Sequence, residues 1–227
     1  GMAANLDENV GRLREFLATH GLERDTIVIY MTDNGSVERT GYYNAGMRGR
    51  KGSLYDGGHR VPFFLHWPGG ENLTAPRSFG QPTHGTDLVP TLLDLCRVSA
   101  PTGTVFDGRS LAPLLQGEVG ALDGRSFVVQ YGNRAARFKE WDSAVLRNQW
   151  RLVNGTELYN IQADPAQAHD LAAERPDLVA MLRADYEKWS ASVKPVMNQP
   201  NYNLVGSDAE KTVRLSAGEW NGSFCDE

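Results

Sequence analysis

The run Thr26-Ile27-Val28-Ile29-Tyr30-Met31 narrows the fold more than any other feature. It is β-branched and apolar on both faces, without the alternation that a strand with one wet face shows. Such a run predicts a strand buried inside a parallel sheet. On its amino side, Leu6, Val10, Leu13 and Leu17 recur at helical spacing. Asn5 with Glu8 predicts a capping box for that helix, and Gly21 its end. Val61-Pro62-Phe63-Phe64-Leu65-His66-Trp67 reads as a second buried strand, and Asp87 is placed to cap a helix through Leu88, Leu92, Leu93 and Leu95. Helix, strand, long loop, strand, helix is the order of part of an α/β layered domain.

From about residue 126 the texture changes. Phe127 to Tyr131, Ser143 to Leu146, Trp150 to Val153 and Glu157 to Tyr159 are short runs between turn residues, which predicts a small antiparallel sheet. Leu178, Met181, Leu182, Tyr186 and Trp189 then form the apolar stripe of a helix. The expected organisation is an α/β part over 1–125, a sheet and helix over 126–196, and a tail over 197–227. The net charge of -5 provides no basic stripe for nucleic acid, and no run approaches the roughly 18 apolar residues of a membrane helix. Cys96 and Cys225 make no disulfide framework. Gly1-Met2 reads as a cleavage scar before a start residue, and Phe224-Cys225-Asp226-Glu227 shows no stop, so the chain is expected to be cut at both ends.

Three segments carry chemistry. Thr32-Asp33-Asn34-Gly35 follows the first strand directly, and ligands collect at the carboxyl ends of strands in open α/β sheets. Asp33 and Asn34 offer hard oxygen donors, which suit calcium or magnesium better than zinc. An ordinary Asp-Asn-Gly turn is the competing reading. Arg48-Gly49-Arg50-Lys51-Gly52-Ser53 lies in the long loop, where Lys51 could act as a compact charge near a sulfate or phosphate. Taken alone, the segment is better explained as a solvated basic loop. Tyr55-Asp56-Gly57-Gly58-His59-Arg60-Val61-Pro62 allows close approach of backbone at its glycines, and His59 could contact an anion or be purely structural.

Taken together, these segments resemble the formylglycine-dependent sulfatases of the alkaline phosphatase-like superfamily. The likeness runs from Asn5-Leu6-Asp7-Glu8-Asn9-Val10-Gly11 through the strand to Gly35. It is strongest from Gly46 to Pro62, and resumes at Asp87 to Leu95, Glu157 to Asn160, Asp164-Pro165 and Leu171. It implies the carboxyl-terminal part of an alkaline phosphatase-like layered sheet, with a small antiparallel α+β subdomain. It makes Asp33 and Asn34 ligands of one calcium ion and Lys51 the catalytic lysine that grips the sulfate oxygens, while His59 stands as a substrate-binding candidate on its own chemistry. It implies a sulfated small molecule or glycan as substrate and a periplasmic or secreted location. Phosphomonoester or phosphonate hydrolysis on the same scaffold is the alternative activity, and a non-catalytic interaction protein the alternative class.

One departure is large. The family's Cys-x-Pro-Ser-Arg type motif, whose Cys or Ser becomes formylglycine, is absent, and Cys96-Arg97-Val98-Ser99 lacks the proline. The chain is therefore expected to be inactive alone, with an incomplete calcium site. Its uncovered apolar surface is expected to drive self-association. Arg48, Arg50 and Lys51, with no carboxylate nearby in sequence, are expected to repel one another, so that the loop near Gly46 to Lys51 is poorly ordered or borrows an anion or a neighbouring chain for its charges.

Overall fold

The computed structural model describes residues 1–37, 43–70, 73, 76–118, 120, 122–130, 139–197, 202–205 and 213–216. In chain order the elements are α1 (Met2–Thr19), β1 (Val28–Met31), the single turn α2 (Asp56–His59), β2 (Phe63–His66), α3 (Leu88–Leu95) and α4 (Ala112–Gln116). There follow β3 (Ser126–Gln130), β4 (Ser143–Arg147), β5 (Trp150–Val153), β6 (Glu157–Asn160), α5 (Pro176–Met197), β7 (Tyr202–Val205) and β8 (Val213–Ser216). The chain is a mixed α/β protein with antiparallel sheets, and its contacts separate two compact units. One comprises Gly1–Gly35 with Arg60–Arg125, the other Ser36–His59 with Ser126–Glu227. Among the described residues no helix is long and apolar enough to cross a membrane.

In the first unit α1 begins at Met2 without a side-chain cap, so Asn5 is an interior residue and not the expected cap. Its carbonyl instead accepts from the Asn9 side chain at 2.7 Å. The end is as expected: Gly21 has φ +68°, and the N–H groups of Gly21 and Leu22 donate to Ala18 and Leu17, closing the helix with a left-handed residue. β1 and β2 pair antiparallel, with Val28 opposite His66 and Met31 opposite Phe63. The expectation that the first run lies buried in a parallel sheet is thus corrected. An apolar run records what a strand can tolerate on its faces, not the direction of its neighbour. Phe64 is 64% exposed, and Leu6, Leu13 and Phe16 of α1 are also exposed.

Asp87 corrects a second expectation. It stands at the N-cap position of α3, but its side chain makes no bond into that helix. Its fully buried carboxylate accepts from the N–H groups of His84 and Arg109, and from both terminal nitrogens of Arg125. A bidentate arginine and two backbone donors satisfy the charge, so Asp87 ties three segments together. A small core of Leu111, Leu114 and Leu122 lies around α4.

The second unit contains the meander β3-β4-β5-β6, all antiparallel. Register sorts its side chains onto two faces, because neighbours along a strand point to opposite sides. Val145, Leu152 and Leu158 lie abreast and pack with Leu182 and Tyr186 of α5. Ala144, Val153 and Tyr159 form the other face and pack with Leu54. The loop that precedes α2 therefore covers the face that α5 leaves open. β7 and β8 form a separate antiparallel pair.

Candidate functional site

β1 delivers Thr32, Asp33 and Asn34 at its carboxyl end, in the first unit. Asp33 is exposed and Asn34 half-buried, and the Thr32 hydroxyl donates to the Asn34 carbonyl at a long 3.4 Å. Their oxygens suit calcium in kind. Calcium takes about 6 to 8 oxygen ligands, however, and the described residues contain no group of three or more His, Cys, Asp or Glu placed to hold a metal. Two donors on one turn do not by themselves complete a calcium site.

Lys51 and His59 belong to the second unit. The loop carrying Lys51 is built from reciprocal bonds. The Asn44 amide donates to the Met47 and Gly49 carbonyls, both at 3.0 Å. The Arg50 N–H donates to the Ser53 hydroxyl, and the Ser53 N–H returns a bond to the Arg50 carbonyl. The Lys51 N–H donates to the Ser36 carbonyl at 2.9 Å, while its side chain is exposed and has no ion-pair partner among the described residues.

Arg48 behaves differently from its two neighbours. Its guanidinium lies 3.8 Å from the centre of the Tyr55 ring, and donates to the Tyr159 hydroxyl at 3.1 Å and the Gln167 carbonyl at 3.0 Å. Stacking on an aromatic face and a planar fork of donors are uses that arginine serves and lysine does not. The expectation of a loop loosened by mutual repulsion is corrected over residues 43–59. One of the three cations is held by the Tyr55 ring, the Tyr159 hydroxyl and the Gln167 carbonyl, and the backbone around the others is bonded. Residues 38–42 of the loop lie outside the described residues.

Below Arg48, Glu157 accepts from both tyrosine hydroxyls, from Tyr55 at 2.9 Å and Tyr159 at 2.6 Å. Burial first, and then the bond to Glu157, push both phenols above their ordinary range, so they remain donors at any physiological pH. α2 packs behind this group. Asp56 is 1% exposed, and its carboxylate accepts from Arg151 Nε at 2.9 Å while its N–H donates to Gln167 Oε1 at 2.8 Å. Gly57 and Gly58 permit the approach. A Cβ on Gly57 would lie 2.5 Å from the Gly49 carbonyl oxygen, and one on Gly58 would lie 2.2 Å from that of Ser53.

His59 closes the turn, half-buried, with Nε2 donating to the Leu54 carbonyl at 3.1 Å. A carbonyl only accepts, so Nε2 carries the proton and Nδ1 is left as the acceptor of the neutral ring. Burial lowers the His59 pKa, Asp56 and the Leu54 carbonyl raise it, and Arg151 lowers it; the net direction is down. The ring is therefore neutral near pH 7, a hydrogen-bonding group and not a fixed cation.

Sequence reasoning named Asp33, Asn34, Lys51 and His59 but overlooked what supports the last two: Arg48 as an anchor, Tyr55, Asp56, Arg151, Tyr159 and Gln167. One signal was available. Arg151 interrupts the apolar run Trp150 to Val153, and a charge within such a run calls for a buried partner. A groove of about 750 Å³ in the first unit, lined by Trp67, Leu93, Val98, Phe106 and Leu115 among others, includes none of the four named residues.

The sulfatase family model matches residues 1–98. Among curated proteins the chain is 34% identical to mouse (Mus musculus) steryl-sulfatase over 144 residues, covering 60% of this chain and 23% of that protein. Among solved structures it is similar to Ps i-CgsB in complex with k-i-k-neocarrahexaose, with 27% identity and a TM-score of 0.73 over 84% of this chain and 42% of that one. It also shares its fold with the phosphonate monoester hydrolase of Agrobacterium radiobacter, at 20% identity and a TM-score of 0.58 over 95% of this chain and 44% of that one. The chain spans 23% to 44% of the length of five curated sulfatases that it matches.

Proposed function

We propose, for a chain whose first 98 residues are a segment of the sulfatase family in the alkaline phosphatase-like fold, that it supplies the anion-gripping part of a hydrolase acting on sulfate monoesters. The observation that carries the reading is Lys51. Of the cations on the loop, Arg48 is spent on Tyr55, Tyr159 and Gln167, whereas Lys51 is exposed and has no ion-pair partner among the described residues. A compact ammonium on a braced loop can oppose the charge of sulfate oxygens, and it is most effective when held where charge develops. His59, a neutral ring, adds a hydrogen-bonding contact for the substrate.

Asp33 and Asn34 contribute oxygen ligands to a calcium ion in this reading, with the remaining ligands outside the described residues. A formylglycine supplies the nucleophilic oxygen in such an enzyme. The 227 residues contain no Cys- or Ser-x-Pro-x-Arg run from which one could form. This chain by itself is accordingly expected to be inactive. A sulfated small molecule or glycan is the substrate class, and the periplasm or the exterior of the cell the location. Phosphonate or phosphomonoester hydrolysis is a second reading, favoured by the fold shared with the phosphonate monoester hydrolase.

Inorganic sulfate, followed by NMR at the Lys51 side chain, tests the first reading. Sulfate should shift the Lys51 side-chain signals and the backbone amide signals around them saturably, more strongly than chloride at equal ionic strength, and Lys51→Ala should abolish the amide shifts without altering the fold. A response no different from that to chloride would remove the basis of the reading. Calcium-dependent turnover of an aryl sulfate by the purified chain would show that the nucleophile is present after all. Turnover of a phosphonate monoester with none of an aryl sulfate would favour the second reading.

A further inference from the structure

The residues that brace Lys51 and His59 come from far along the chain, and their chemistry exceeds what stability requires. We propose that Asp56, Arg151 and Gln167 are positioning residues for Lys51 and His59, making the carboxyl-terminal sheet a working part of the anion site. The proposal rests on the reading of Lys51 and His59 given above.

Asp56 stands between the two in sequence, and its N–H and carboxylate bond to Gln167 beyond β6 and to Arg151 on β5. Arg151 is fixed in its turn, since its terminal nitrogen donates to the carbonyls of Asn148 and Trp150 at 2.8 and 2.9 Å. Gln167 clamps the loop at two points: its carbonyl accepts from Arg48 and its side-chain oxygen from the Asp56 N–H. It is fully buried, and does this from φ +49°, a left-handed conformation that side-chain-bearing residues adopt at a cost. Its amide orientation follows from the bond, because only the oxygen can accept from an N–H. Gln167 Nε2 is buried with no hydrogen-bond partner among the described residues, a further cost accepted at this position.

A hydrophobic cover would stabilise the same sheet face at least as well, because a buried ion pair recovers little beyond its own desolvation. What the ion pair and the glutamine add is direction. They fix the height and rotation of α2 over the sheet, and α2 ends in His59. Gly57 and Gly58 remove the slack, since their backbones lie against the carbonyls of Arg48, Gly49, Arg50 and Ser53. The segment from Arg48 to His59 is thereby held as one piece, with Lys51 on its exposed turn.

Arg151→Met would remove the ion-pair partner of the buried Asp56 and destabilise the unit, so Gln167→Met is the working variant. It is close in volume and removes the side-chain acceptor without touching Lys51 or His59. Hydrogen exchange should accelerate by about tenfold or more at the amides of 49–58, while β4 and β5 keep their protection within about twofold. The His59 ring signals should shift, and the response of Lys51 to inorganic sulfate should weaken by about tenfold. Unchanged exchange over 49–58 would overturn the proposal. So would faster exchange accompanied by unmoved His59 signals and an undiminished sulfate response, because the network would then be structural only. If sulfate leaves Lys51 unaffected in the unaltered chain, the sulfate reading fails by itself; exchange and the His59 signals still decide the positioning role.

Discussion

β1–β2 and β4–β5 are built from similar residues and end in opposite situations. Ile29, Tyr30, Phe63 and Phe64 are as apolar as Val145, Leu152 and Val153, yet Phe64 is 64% exposed while Leu152 and Val153 are fully buried. The first pair has a single partner strand each and no described cover over Phe64. The second lies inside a four-stranded meander, with α5 on one face and Leu54 on the other. Apolar character in a strand is therefore a capacity for burial. Whether it is used depends on what another part of the chain brings to it.

The sharpest way to break this comparison is a matched pair of truncations. Leu152→Ala should destabilise the second unit by about 2–5 kcal/mol, because it loses transfer energy and leaves a cavity between sheet and helix. Phe64→Ala, although it removes a larger side chain, should change stability by no more than about 0.5 kcal/mol. Urea unfolding of the two variants measures both values. Comparable losses would mean that Phe64 is covered in solution.

Tyr159→Phe probes the loop-covered face more gently. It keeps the ring under Arg48 and removes the hydroxyl that accepts from Arg48 and donates to Glu157. A loss of about 1–2 kcal/mol is expected, with protease sensitivity rising first near Arg48. No loss at all would mean that ring packing alone holds the loop.

The smallest effect is the pH response of His59. Burial holds its folded pKa below the usual value of 6.5, despite the upward pull of Asp56 and the Leu54 carbonyl. Near and below that value the unfolded chain binds a proton that the folded chain resists. The contribution of this group is therefore complete above about pH 6.5 and shrinks as the pH falls. Denaturation midpoints at about pH 7.5 and about pH 5 should differ less in His59→Gln than in the unaltered chain. An equal difference in both would assign the pH response to other groups.

Much of the fold was legible because it depends on short-range rules. The four strands of the meander, the helix with the Leu178 to Trp189 stripe and the Gly21 stop all follow from local periodicity and turn chemistry. The four candidate residues were legible as a pattern of residue types around Asp33 and Lys51. The direction of β1 against β2 was not, because both pairings satisfy the same apolar run. The fate of Arg48 was not legible either, since its partners Tyr159 and Gln167 lie 111 and 119 positions away.

The sequence by itself determined which segments are strands and helices, and which residues could carry hard-oxygen or cationic chemistry. Those properties reside in single residues and their near neighbours. Tertiary structure alone decided that Arg48 is an anchor while Lys51 stays exposed, and that Asp56 Oδ1 is paired with Arg151 Nε. It alone decided that His59 is neutral and donates through Nε2. Protonation depends on burial and on nearby charge, and the partners that hold Arg48 and Asp56 in place, Arg151 and Gln167, are supplied by a part of the chain some hundred positions away.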